Sequence, residues 1–90
     1  MAEWSLIFTD DAEDDFNKLD KRIRLRVAER LNWLKTNFQD ITPLALGGEW
    51  QGYFKLRVGD WRVIYKLDWL KNLLIVYAID RRDKIYKERR

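Results

Sequence analysis

The stretch Gly52-Tyr53-Phe54-Lys55-Leu56-Arg57-Val58-Gly59-Asp60-Trp61-Arg62-Val63-Ile64-Tyr65-Lys66-Leu67 decides the fold. Two runs rich in β-branched and aromatic residues flank Gly59-Asp60. Glycine at the first central position suits a type II′ turn, and a Gly/Asp pair also tolerates positive φ, so the stretch reads as a hairpin closed by a two-residue loop. Such a loop fixes the register. Val58 then faces Trp61, Arg57 faces Arg62, Leu56 faces Val63, Lys55 faces Ile64 and Phe54 faces Tyr65.

Opposed residues share a face of the sheet, and successive residues alternate. One face therefore collects Phe54, Leu56, Val58, Trp61, Val63, Tyr65 and Leu67, a core face. The other collects Tyr53, Lys55, Arg57, Arg62, Ile64 and Lys66. Arg57 directly across from Arg62 is unfavourable, because like charges in opposed positions repel. Either this face is an ordinary solvated surface that happens to be basic, or it is built for an anion. The residues alone leave both readings open.

Ninety residues make one domain, 1–90. A domain of this size buries only about 60–65% of the surface of its unfolded chain, so the core is small. The absence of cysteine excludes disulfides and thiolate zinc sites, and the absence of histidine removes the commonest metal ligand and acid–base group. Catalysis, if present, falls to Lys, Arg, Tyr, Asp or Glu, with no cofactor expected. No apolar run is long enough to span a membrane, and the N-terminus lacks the pattern of a signal peptide, so a cytoplasmic protein is expected.

The net charge of +3 hides an asymmetry. Residues 1–20 carry seven acids and one cation, whereas residues 21–90 carry 17 cations and eight acids. The last ten residues alone hold six cations and two acids. This distribution points to an anionic partner, either nucleic acid or an acidic protein segment.

Working outward from the hairpin, Trp4 to Phe8 alternates and reads as a short strand. Asp10 with Glu13 resembles a capping box, and Ala12, Phe16 and Leu19 recur at helical spacing, so residues 11–19 read as a first helix. Its acids suit a helix N-terminus. Asp20 can cap a second helix whose buried stripe is Ile23, Val27, Leu31 and Leu34, with Arg22, Arg26 and Arg30 along another flank and fraying expected near Asn37. Phe38 to Trp50, with Pro43 and Gly47-Gly48, reads as loop. Asp68 to Asn72 reads as a second turn, and the apolar run Leu73–Ile79 as a strand covered on both faces. The charged tail from Asp80 has room for a short strand or helical turn. The expected class is α+β: an N-terminal strand and a helical hairpin on one face of a mostly antiparallel sheet, in the order β-α-α-β-β-β.

With these residues in place the chain resembles the RelE/ParE toxin superfamily of bacterial type II toxin–antitoxin systems. The carrying residues are Trp4 to Thr9, Ala12, Asp15, Phe16, Leu19-Asp20-Lys21, Arg24, Arg26, Leu46, Gly47, Gly52, the block Lys55 to Tyr65, and Arg81, Arg82 and Tyr86. The block Lys-Leu-Arg-x-Gly-Asp-aromatic-Arg-Val-Ile-Tyr is the specific part. The resemblance implies a RelE-like microbial ribonuclease fold, a cognate antitoxin as partner, and one of two activities. The RelE branch cleaves mRNA in the ribosomal A site without metal; the ParE branch inhibits DNA gyrase. By resemblance Lys55, Arg62, Arg81 and Tyr86 match the catalytic positions of RelE, with Tyr53, Arg57, Lys66, Arg82 and Lys84 as RNA-binding candidates. Two positions depart from the pattern. Tyr53 stands where a second lysine is expected, and Asp80 stands before Arg81 where His or Lys is common.

In a ribonuclease the RNA 2′-OH is the nucleophile, so the protein must orient it, help remove its proton and stabilise the charge that develops on phosphate. Arginine's fork suits the phosphate, a role for Arg62. Lys55 is the candidate base or charge donor, Arg81 a stabiliser of the leaving oxygen, and Tyr86 a stacking or orienting group. Each has a structural alternative: Tyr86 covering the sheet edge, Arg81 paired with Asp83 or the first helix, Arg62 paired with Asp60. The function classes carried forward are an mRNA-cleaving toxin, a gyrase-binding inhibitor, and a catalytically weak homologue acting through its antitoxin.

Overall fold

The computed structural model describes residues 4–37 and 43–85. The chain runs β1 (Ser5–Phe8), α1 (Asp10–Lys18), α2 (Lys21–Thr36), β2 (Leu44–Ala45), a 3-10 turn at Gly48–Trp50, β3 (Phe54–Val58), β4 (Trp61–Asp68) and β5 (Leu73–Arg81). The five strands form one sheet in the order β1-β5-β4-β3-β2. β1 runs parallel to β5, and every other pairing is antiparallel.

The central hairpin has the register its loop dictates, from Phe54 opposite Tyr65 to Val58 opposite Trp61. Gly59 takes φ +60°, the positive value that the turn requires. The helices start on side-chain caps. Asp20 accepts from the Ile23 amide at 3.1 Å, as expected. In α1, however, the cap is Thr9, whose hydroxyl accepts from the Ala12 amide at 3.2 Å. Asp10 is therefore the first helical residue, where its carboxylate faces the positive end of the helix dipole.

The helices lie on the predicted core face. Val27, Leu31 and Leu34 of α2 and Ala12 and Leu19 of the α1 region are buried against Leu56, Val58, Val63, Tyr65, Leu74, Val76 and Ile79, with Phe16, Ile23, Phe54, Trp61 and Leu67 packed around them. Burial pushes the Tyr65 phenol up from 10.0 to about 12, because the interior disfavours the phenolate. Asp15 ties α1 to the sheet. Beyond the last β1 pair, Phe8 with Val76, the Ile79 amide donates to the Asp15 carboxylate at 3.0 Å. A helix side chain thus replaces the missing strand partner.

Three features go beyond the sequence reading. The stretch read as loop contains β2, which pairs Leu44 with Lys55 and Ala45 with Phe54. Two residues behind a proline carry no periodicity, and Pro43 is compatible with an edge strand. β5 runs on to Arg81 rather than stopping at Ile79. The charged tail also packs in part. Ile85 is fully buried with Ile64 and Ala78 on the face away from the helices, and Leu46, Trp50 and Tyr53 pack around them. The outward face is therefore a basic surface built around a small apolar patch.

Candidate nucleic-acid interface

The hairpin register places Lys55, Arg57, Arg62 and Lys66 on the outward face. Lys55 stands between Leu44 on β2 and Ile64 on β4, and is half-buried. Arg57 is exposed opposite half-buried Arg62. Arg62 bends back to the loop: its Nη1 donates to the Gly59 and Trp61 carbonyls, each at 2.8 Å. These bonds brace one side of a guanidinium that carries five N–H donors. The predicted alternative of a pair with Asp60 is not the contact formed.

The β4–β5 register contains a bulge between Ile64 and Tyr65. Ile64 pairs with Ala78 and Tyr65 with Val76, leaving Tyr77 as the extra residue. The bulge moves the phase of β5 by one position. Asp80, not Arg81, consequently occupies the outward position opposite Arg62, and Arg81 pairs with Trp61, a residue of the helix-side face. Arg81 sits at the rim, with its Nε 3.8 Å from the Asp83 carboxylate. The Asp80 carboxylate accepts from the Arg81 amide at 2.8 Å. Arg82 closes onto the hairpin loop through its amide, 2.9 Å from the Asp60 carbonyl. Together Asp60, Arg81, Arg82 and Asp83 line an open cleft of about 210 Å³. Lys84 is exposed in the turn that follows. Tyr86 lies outside the described residues.

At the other end of the face is an aromatic cluster. Tyr53 meets Trp50 (centroids 5.4 Å) and Tyr77 (5.1 Å), both edge to face, and the Lys66 ammonium lies 4.9 Å from the centre of the Tyr53 ring. The Trp50 Nε1 is buried and finds no acceptor among the described residues. Tyr77 was not a sequence candidate, because an uninterrupted apolar run does not show which of its residues face outward. Arg26 was read only as part of the α2 flank. Its guanidinium in fact reaches the hairpin loop, about 3.5 Å from where a Gly59 Cβ would stand.

Arg22, Arg26 and Arg30 are all exposed on α2, as expected of the basic flank. Leu25 and Trp33 are exposed beside them at 54% and 40%, and the Arg30 guanidinium lies 4.8 Å from the centre of the Trp33 ring. Among the described residues no helix is long and apolar enough to cross a membrane.

Residues 6–86 match the family model of the ParE toxin of type II toxin–antitoxin systems, parDE. No curated protein sequence matches the chain significantly. Among solved structures, the RelBE2 toxin–antitoxin complex of Mycobacterium tuberculosis is similar at 28% identity and TM-score 0.79, over 91% of this chain and 94% of that one. The DinJ–YafQ toxin–antitoxin complex of E. coli (21% identity, TM-score 0.74, covering 94% and 99%) and the isolated E. coli RelE toxin (18%, 0.74, 94% and 93%) share the fold. The fold and the match along nearly the whole chain agree: this protein belongs to the ParE toxin family of type II toxin–antitoxin systems, within the RelE/ParE superfamily.

Proposed function

We propose that the toxin cleaves mRNA on the ribosome as an endoribonuclease that uses no metal, with the RNA 2′-OH as nucleophile. The observation carrying this reading is the outward sheet face, where Lys55, Arg57, Arg62 and Lys66 gather beside Tyr53. A braced Arg62 is the phosphate ligand, because its remaining N–H donors are held in one orientation before substrate arrives. Lys55, half-buried beside Ile64 and Leu44, supplies an ammonium on the same face. Arg57, Lys66, Arg82 and Lys84 follow the backbone, Arg81 reaches in from the rim, and Tyr86 contributes from the tail.

The partner in the resting cell is a cognate antitoxin, as in the similar RelBE2 complex. The exposed Leu25 and Trp33, interleaved with Arg22, Arg26 and Arg30, suit an acidic amphipathic segment. The site of action is the cytoplasm, where the ribosomes are.

A second reading is favoured by one observation. Asp80 stands opposite Arg62 on the surface that would hold a phosphate. A toxin of this kind would bind DNA gyrase without cleaving anything. Mapping mRNA 5′ ends after induced expression separates the two. In-frame cuts that require translation support the ribonuclease. Intact mRNA together with loss of supercoiling activity supports the gyrase inhibitor.

A further inference from the structure

We propose that Tyr77, braced by Tyr53, is a stacking platform for one base of single-stranded RNA on the outward face. The inference rests on the RNA reading above and assigns it a base-binding position. The register is the first observation. Alternation from buried Leu74 and Val76 puts Tyr77 on the outward face, and the bulge that follows turns Ala78 outward beside it. The two rings then differ in their surroundings. Tyr53 is held by Trp50, Tyr77 and the Lys66 ammonium. Among the described residues the Tyr77 ring has one aromatic contact, the Tyr53 ring. Tyr53 is the brace and Tyr77, half-buried, is the ring left to meet a ligand.

The charge around the pair selects the ligand. Tyr53, just before β3, and Lys55 and Arg57 on it take successive outward positions, about 7 Å apart. An aromatic ring at the head of a row of cations matches a single nucleic-acid strand, which presents a π-face and a phosphate at every step. An acidic peptide would need the cations but not the ring. In the surface on α2, by contrast, the arginines interleave with Leu25 and the Arg30-capped Trp33, as suits a protein.

The test uses the whole purified toxin and a short fluorescent 2′-O-methyl RNA, which lacks the attacking hydroxyl and so reports binding alone. A strand of equal length with abasic positions is the comparison. Tyr77→Leu should weaken binding of the normal strand about ten- to hundredfold, the range for loss of one stacked base, while Tyr77→Phe binds like the parent. The slope of log affinity against log salt should stay unchanged in both, because no phosphate contact is lost. Lys55→Ala should flatten it by about 0.7. The abasic strand should lose affinity for the parent but lose nothing further for Tyr77→Leu. Equal binding of normal and abasic strands by the parent would overturn the platform even if Tyr77→Leu failed to fold. So would a folded Tyr77→Leu that binds like the parent, or a Tyr77→Phe that loses as much as Tyr77→Leu. Loss of antitoxin binding with RNA binding intact would reassign the rings to a protein interface. If the platform behaves as expected while cellular mRNA stays uncut, base binding stands and the ribonuclease reading falls. Translation-dependent cuts with no discrimination against the abasic strand give the reverse.

Discussion

Arg62 and Asp80 stand directly opposite each other on β4 and β5, both on the outward face. Each is held by the backbone beside it: Arg62 by the carbonyls of Gly59 and Trp61, Asp80 by the amide of Arg81. The basic outward face therefore carries a carboxylate opposite Arg62, which tempers its attraction for phosphate.

Asp80→Asn keeps an oxygen for the Arg81 amide and removes the charge. RNA should bind about two- to fivefold tighter, the scale of one exposed charge interaction of about 0.5–1 kcal/mol. Titration of a labelled strand at several salt concentrations checks this. An unchanged affinity would place the RNA path away from Asp80.

Arg62→Ala removes two hydrogen bonds to the hairpin loop as well as a phosphate ligand. Stability should fall by about 1–2 kcal/mol, and mRNA cleavage by about 10²–10³-fold for loss of one preorganised donor. Exposed Arg57, replaced by Ala, should leave the melting temperature unchanged and weaken cleavage less. Melting curves and cleavage on translating ribosomes read both effects. A folded Arg62→Ala of full activity would remove Arg62 from the mechanism.

Leu31 and Val63 are fully buried from opposite sides of the core. Leu31→Ala or Val63→Ala should cost roughly 2–4 kcal/mol, a large share of the ~5 kcal/mol that a small domain holds. Denaturant unfolding is the measurement, and a midpoint near the parent's would mean that the site closes around the gap.

Asp15→Ala should leave the Ile79 amide without its acceptor, at a cost of about 1.5–3 kcal/mol for a bond to a charged group. Hydrogen exchange should show the loss at Ile79 first, and Asp15→Asn should restore part of the protection. Protection at Ile79 that survives Asp15→Ala would mean that the strand edge is closed by another group.

Tyr65 gives an alkaline signature. Its phenol ionises near 10.0 when the chain is unfolded and near 12 when folded, so the unfolded state sheds its proton first as pH rises. Its contribution is intact below pH 10 and is lost between about 10 and 12, amounting to roughly 2–3 kcal/mol. Tyr65→Phe should abolish that part of the decline. Unfolding free energies of both proteins across this range are the test, and parallel curves would show that Tyr65 ionises as freely folded as unfolded.

The hairpin, its two faces and the helical layer are legible in the residues alone, because each follows from local rules. A two-residue loop at Gly59-Asp60 admits one pairing of β3 with β4. The spacing of Val27, Leu31 and Leu34 admits one buried stripe on α2. Asp20 caps α2 through an amide three residues away. Thr9 and Asp10 offer equivalent capping chemistry for α1, and the choice of Thr9 depends on where β1 releases the chain.

The far half of the candidate site depends on packing between distant strands. Counted along β5 by simple alternation from buried Leu74 and Val76, Arg81 falls on the outward face. The bulge at Tyr77 shifts that count by one and brings Asp80 there instead. It also turns Ala78 towards Ile64 and Ile85, beside Tyr77, which alternation alone places outward. No residue in Leu73–Ile79 announces the bulge, because a strand's phase is local only while its ladder is regular. Where the ladder slips is settled by how β5 fits between β1 on one edge and β4 on the other, a long-range packing problem that no stretch of sequence carries alone.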